Sequence, residues 1–413
     1  MSQTAKTYRL TTYSCFAGIF VQAIAGNITA ILFMPLMKLY NLSYIHLGIL
    51  VAINFMTQVA VDIIFSGLID KCGFKRLVLP ANIFAFIGLI LFSMSPLLRG
   101  NVFAGMVIST VIFSAASGLL EIILSPIINA IPNDDKGPAM ALMHSFYAWG
   151  QVCTIVITTL FLYLFGSERW QIIVLIWAAI PAIDFIMFMF SPFPNAIPEE
   201  QRLNMRDLIF NPFYIFALLA IFFGAATELV MNQWSSSFME VVLKLPKLAG
   251  DLLGMCGFAF MLGLGRTLYG IYGSKIDMNK ILIKSSLIAI VCYIAVALSP
   301  INSISLFACA LCGLAASLLW PGTLVVAADK FPLAGSWMFA ILAAAGDIGA
   351  SAGPWLTGFI AEKSLSMQAA INFSSKLGIA PEQLGMRAGI LAASVFPAIA
   401  LLSHIILKRL KNT

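Results

Sequence analysis

Apolar runs of about 20 residues or more, separated by short polar connectors, recur from one end of this chain to the other. Each is long enough to cross a hydrocarbon core as a helix, and none alternates with the period of two that a membrane barrel strand requires. The pattern predicts twelve spans, near residues 10–38, 44–69, 77–97, 102–131, 138–165, 170–192, 209–238, 248–273, 280–299, 303–328, 336–361 and 386–407.

Composition narrows the solvent. Hydrophobic residues make up 61% of the 413 positions and charged residues 10%, with a mean hydropathy of +0.96; an ordinary soluble domain carries about 25% charged residues. The chain therefore reads as an integral membrane protein with the lipid bilayer as its first partner. With the amino terminus inside, fifteen of the 24 lysines and arginines fall on the cytoplasmic side, so both termini are expected in the cytoplasm, at the plasma or inner membrane. The net charge of +6 is then the usual basic bias of cytoplasmic connectors and calls for no nucleic acid. The first span lacks a small-residue cleavage site and reads as an uncleaved helix. The seven cysteines lie nearly all within spans, where thiols act as small apolar groups, and no disulfide is expected. Cys309-x-x-Cys312 has a metal-ligand spacing but no second ligand pair, so no metal site is expected.

Polar residues inside the spans carry the candidate chemistry. A carboxylate at the centre of a spanning helix costs roughly 2.5–3.5 kcal/mol on insertion scales, and calls for a partner or a water-filled cavity. Asp62, Glu121, Asp184, Glu228 and Asp347 are of this kind, with Arg266 as their only basic counterpart. A carboxyl group removed from water favours its neutral form. Glu121, Glu228, Asp347 and His144 are accordingly the candidates for proton coupling. Helical steps of three and four group the rest. His144, Tyr147, Gln151, Thr154 and Thr158 form one face of the fifth span, and Ser114, Ser117, Glu121 and Ser125 one face of the fourth. Asn54, Gln58 and Asp62 do so in the second, Gln22 and Asn27 in the first, and Glu228, Asn232 and Ser235 in the seventh, with Trp234 alongside.

Such stripes suit a hydrated cavity whose amides and hydroxyls meet a polyhydroxylated ligand while Tyr147, Trp149 and Trp234 stack on its apolar face. The candidate binding set is thus Gln22, Asn27, Asn54, Gln58, Glu121, His144, Tyr147, Gln151, Glu228, Asn232 and Trp234. Each stripe also has a plainer reading. Ser114, Ser117 and Thr158 suit packing between helices, Asp62 and Asp184 suit structural roles, and Arg266 suits an ion pair between helices.

The polar stretch 193–208 divides the spans six and six, giving an N-terminal half (1–192), a cytoplasmic linker and a C-terminal half (209–413). Ser125-Pro126 and Gly150 in the first half are matched by Trp320-Pro321 and Gly346 in the second, with Pro–Gly separations of 24 and 25 residues. The connectors repeat too. Ser66-Gly67-Leu68-Ile69-Asp70-Lys71-Cys72-Gly73-Phe74-Lys75-Arg76 is echoed 207 residues after Asp70 by Gly273-Ser274-Lys275-Ile276-Asp277 followed by Lys280. The first copy resembles the loop after the second helix of the major facilitator superfamily. That resemblance implies an all-α membrane protein of twelve transmembrane helices in two pseudo-symmetric six-helix halves, with a transport site between them. It also implies a cytoplasmic gate formed by Asp70, Lys71, Gly73, Lys75, Arg76, Asp277 and Lys280.

Leu120-Glu121-Ile122-Ile123-Leu124-Ser125-Pro126 and His144-Ser145-Phe146-Tyr147-Ala148-Trp149-Gly150-Gln151 resemble the fucose permease-like branch, the fucose-galactose-glucose:proton symporters. In that branch a glutamate five residues before a proline of the fourth helix is implicated in proton coupling and sugar binding, and Glu121 and Pro126 match it. The branch's aspartate in the first helix falls on Ala30, which leaves coupling to Glu121 or Glu228.

The expected function is secondary active transport by alternating access, as proton-coupled uptake of a sugar or similar small polar metabolite. A proton-coupled exporter of lipophilic compounds is the first alternative, disfavoured by the amide-rich stripes. A non-cycling receptor or scaffold is the second, and would be expected to carry a long soluble extension. No nucleotide-binding motif is visible, so neither ATP nor any other cofactor is expected. Gly349-Ala350-Ser351-Ala352-Gly353 fits an esterase pattern, but lies in an apolar span without the strand–turn–helix that pattern needs, and reads as helix packing. No enzyme is expected.

Overall fold

A backbone in lipid must satisfy its own hydrogen bonds, and this one does so as helices. The computed structural model describes residues 7–42, 44–65, 68–97, 101–132, 136–194, 203 and 208–411, and those residues contain no strand. The chain forms α1 (Arg9–Ile31), α2 (Tyr44–Phe65), α3 (Phe74–Met94), α4 (Val102–Ala130), α5 (Lys136–Phe165) and α6 (Trp170–Phe190). There follow α7 (Pro212–Val241), α8 (Gly257–Tyr272), α9 (Met278–Leu298), α10 (Asn302–Ala316, resuming over Leu319–Lys330), α11 (Ser336–Ser366) and α12 (Pro381–Ala393, resuming over Val395–Lys411). Among the described residues eleven helices are long and apolar enough to cross a membrane, and α2 adds a shorter apolar stretch over Ile49–Phe65. Most of the expected linker, residues 195–202 and 204–207, lies outside the described residues.

Some helix starts are set by side chains that accept the first free N–H groups. Asn101 caps α4 at the Ala104 amide (2.9 Å), and Asn211 caps α7 at the Phe213 amide (2.9 Å), with Pro212 as the first helical residue. Several spans are less regular than their hydropathy suggests. α1 gives way at Leu32 to a short helix, Phe33–Tyr40, and α8 is entered through a π-helical segment, Gly250–Cys256.

The chain falls into two compact units. One comprises Met1–Leu208 with Phe331–Ala344, and the other Ile209–Lys330 with Ala345–Thr413. In the first, α1 packs on α4, α5 and α6, and α3 on α4 and α6. Its apolar core joins Ile24, Ile28, Phe92, Phe113, Trp170 and Trp177. The two indole N–H groups are satisfied there, Trp170 donating to the Tyr40 hydroxyl (3.1 Å) and Trp177 to Thr158 Oγ1 (2.9 Å). In the second unit α7 packs on α10 and α12, α8 on α10, and α9 on α10 and α12. The Tyr293 hydroxyl of α9 donates to the Thr227 carbonyl of α7 at 2.6 Å.

Candidate functional site

In the first unit three helices bring polar groups to one level. Gln22 of α1 donates through Nε2 to Glu121 Oε2 of α4 at 2.7 Å. One turn along α1, Gly26 leaves room for the Tyr147 hydroxyl of α5, which would lie 3.1 Å from a β-carbon placed there. Glu121 and Tyr147 are half-buried while Gln22 is buried. The partner recorded for Glu121 is a neutral amide, which orients it without cancelling its charge.

Asn54 and Gln58 are spent differently. Ser117 Oγ of α4 donates to Gln58 Oε1 (3.0 Å), Gln58 Nε2 to Asn54 Oδ1 (2.6 Å), and Asn54 Nδ2 to the Ala25 carbonyl of α1 (3.0 Å). This relay ties α4, α2 and α1 together behind the Gln22–Glu121 pair, and a buried network of that kind holds when every member is satisfied. Asn27 Nδ2 turns back to the Ala23 carbonyl (2.8 Å), and His144 Nε2 meets Ser125 Oγ (3.2 Å). Gln151 and Asp62 are fully buried. So is Asp184 of α6, which lies beside Asn82 of α3.

The second unit is built around a charge pair. Both carboxylate oxygens of Glu228 of α7 accept from Arg266 Nη2 of α8, at 2.9 and 2.8 Å, with both residues buried. Asn232 is buried one turn beyond Glu228. Trp234 is half-buried and donates to the Pro354 carbonyl of α11 (3.1 Å), with Gly358 beneath its ring. Asp347 is buried next to Gly346, on which the Trp320 ring lies.

Residues 15–354 match the family model of the Major Facilitator Superfamily. The chain belongs to that superfamily. No curated protein matches it by sequence. Among solved structures, it resembles the E. coli fucose:proton symporter FucP with a TM-score of 0.75 at 14% identity, covering 97% of this chain and 99% of that one. It resembles the proton:xylose symporter XylE with a TM-score of 0.73 at 12% identity, over 95% of each chain. A bacterial homologue of the human lysosomal transporter Spinster follows at 0.64 and 14%, over 99% of this chain and 98% of that one. At such identities the likeness is one of fold. Members of this superfamily are transporters, and this facilitator is a multi-pass membrane transporter rather than an enzyme.

The connectors singled out by the superfamily motif are partly in view. Ser66, Gly67 and the side chain of Asp70 lie outside the described residues. Gly73 has φ +81°, a left-handed conformation that a side chain strains, and so permits the turn into α3. Lys75 Nζ donates to the Met189 carbonyl at the end of α6 (2.8 Å), while Lys71 and Arg76 are exposed.

In the second copy Asp277 caps α9, accepting from the Asn279 and Lys280 amides at 3.0 and 3.3 Å, with Lys280 Nζ 3.6 Å away. Slight burial works against the Asp277 charge, but these amides and the Lys280 ammonium outweigh it and hold the carboxyl below the usual range. A group depressed in this way stabilises the folded state above the ordinary aspartate value, and the benefit fades as pH falls through the folded one. Asp277→Ala is expected to speed hydrogen exchange at the Asn279 and Lys280 amides by roughly fivefold, the equivalent of about 1 kcal/mol for a lost cap. Asp277→Asn, which keeps an acceptor, should change it little.

Two features escaped the reading of the sequence. His404 of α12 is buried, with Nδ1 3.1 Å from Ser286 Oγ and Nε2 3.4 Å from Thr323 Oγ1, and so ties α12 to α9 and α10. A lone histidine in an apolar run gives no sign of which helices it will reach. The other is the break in α10 at 317–318, where Arg266 Nε donates to the Ser317 carbonyl at 2.8 Å.

Proposed function

We propose that this facilitator takes up a sugar or similar small polar metabolite together with a proton, by alternating access. The observation that carries the reading is the Gln22–Glu121 hydrogen bond beside the Tyr147 hydroxyl. It brings together a carboxylate and a phenol, with the Gln22 amide orienting the first, which is donor and acceptor chemistry for a polyol with an aromatic ring alongside. Sealing an ionised carboxylate away from water is costly, so the carrier closes readily only when Glu121 has taken up a proton and the ligand is in place. Coupling follows from that cost. The Glu228 carboxylate is neutralised by Arg266 instead, which leaves Glu121 as the residue of choice for the proton. The similarity in fold to fucose and xylose symporters supports the same reading, as do the branch-like residues around Glu121 and Tyr147. The basic connectors support cytoplasmic termini and a gate on that side.

The test is uptake of radiolabelled hexoses and pentoses into proteoliposomes, with and without an imposed inward proton gradient. Accumulation of one sugar above equilibrium, present only with the gradient, is the expected result. If no sugar accumulates in vesicles that hold folded, correctly oriented protein, sugar uptake falls and export of lipophilic compounds becomes the reading to pursue.

A further inference from the structure

α10 breaks because of Pro321. In an unbroken helix the Ser317 carbonyl would accept from the N–H four residues on, but that residue is Pro321, which has no N–H and whose ring crowds the same carbonyl. The helix opens into a turn at 317–318 and resumes at once, with the Gly322 amide donating to the Leu318 carbonyl at 2.8 Å. Ser317 is buried, so its carbonyl cannot turn to water, and an unmet acceptor in that setting is expensive. Arg266 Nε fills the vacancy at 2.8 Å. Neighbouring helices are shaped for the approach. Gly265 of α8 lies against Ser317, where a β-carbon would come within 2.8 Å of Ser317 Cβ, and Gly224 of α7 lies against Leu319, at 3.1 Å.

We infer that Arg266 is a positioning residue: its guanidinium replaces the backbone hydrogen bond that Pro321 removes from α10, and Glu228 is the counter-ion that compensates this donor's charge and aims it. The planar fork is what the task requires, since Nη2 serves both oxygens of the Glu228 carboxylate while Nε serves the carbonyl. The joint so fixed carries Trp320, whose ring rests on Gly346 beside Asp347. Arg266 and Glu228 therefore fix the joint of α10 that holds Trp320 against Gly346. This role is independent of which substrate is carried.

Hydrogen exchange followed by mass spectrometry, on the full chain in lipid nanodiscs, tests the inference without a substrate. Arg266→Lys keeps the charge but not the fork, and is expected to speed exchange of the amides between Leu318 and Val325 by about tenfold, the usual consequence of stranding a buried acceptor. Exchange across α1–α6 should not change. Adding Pro321→Ala restores an N–H to the Ser317 carbonyl and should return the segment to wild-type protection. Should Arg266→Lys fail to fold, the pair Glu228→Met and Arg266→Met substitutes apolar groups for both charges, and exchange is compared with and without Pro321→Ala. Unchanged exchange at 318–325 on loss of the guanidinium overturns the inference. So does a loss of protection that Pro321→Ala leaves in place, because a general loosening of the unit would not be repaired by one amide. A facilitator that carried no sugar would leave these outcomes intact.

Discussion

On the proposed sugar–proton uptake, Glu121→Gln should abolish proton-driven accumulation of the sugar and leave its exchange across the membrane partly intact. The carboxamide has nearly the volume of the carboxylic acid, and its oxygen can go on accepting from Gln22 Nε2, now 2.7 Å from Glu121 Oε2. Local geometry is thereby kept, as is the neutral form that closure demands. What is lost is the capacity to release a proton on one side and take one up on the other. The variant should equilibrate label between the two faces of a proteoliposome but not exceed equilibrium under an inward proton gradient. Gln22→Leu removes the orienting donor and should weaken sugar binding by several-fold, as expected for a hydrogen bond between neutral groups worth roughly 0.5–1.5 kcal/mol, while some gradient dependence survives. Accumulation by Glu121→Gln at the wild-type level would take Glu121 out of the coupling step altogether.

The contrast between Glu121 and Glu228 marks how far the sequence could be read. Both stand out as carboxylates in apolar runs, and Arg266 stands out as the single base. Which acid the base meets is a matter of packing between α7 and α8, over 38 residues of chain, and no periodicity encodes it. The same limit applies to Asn54 and Gln58. A step of four puts them on one face of α2, as expected, but that step also lets Gln58 donate to Asn54, and the face turns to α1 and α4, where Ser117 and the Ala25 carbonyl complete the relay.

Spans themselves were legible because hydropathy over about 20 residues depends only on the chain and the bilayer. Their interruptions were legible in part. Pro321 marks a place where a hydrogen bond must be missing, yet Pro80, Pro126, Pro181 and Pro354 sit inside α3, α4, α6 and α11 without ending them. At Pro321 the open carbonyl is met by the Arg266 guanidinium, and α12 is likewise interrupted at Ser394, three residues before Pro397.

Gly349→Val should prevent recovery of folded protein, whereas Ser351→Ala two residues away should be silent. Both lie in the segment of α11 that fits an esterase pattern, and the environment decides what the pattern means. A β-carbon on Gly349 would run into the Phe222 carbonyl of α7, and one on Gly353 would lie 3.0 Å from Ala226 Cα. One on Gly358 would lie 2.7 Å from the Trp234 ring. The glycines thus form a seam along which α11 rests on the backbone of α7, the close approach by which small residues join helices in lipid. Valine at 349 has no rotamer that helps, because the clash is with its own β-carbon and a main-chain oxygen that cannot move alone. The helices must part, and the dispersion contacts across the whole seam weaken together. Overpacking a core costs roughly 1–3 kcal/mol when side chains can yield; here the obstacle is backbone, so the loss should exceed that range. Ser351 is half-buried, and its replacement by alanine removes one hydroxyl without adding volume. Size-exclusion profiles and thermal unfolding in detergent distinguish the two variants. A Gly349→Val protein that elutes and melts like the wild type would mean that α7 and α11 do not meet at this seam.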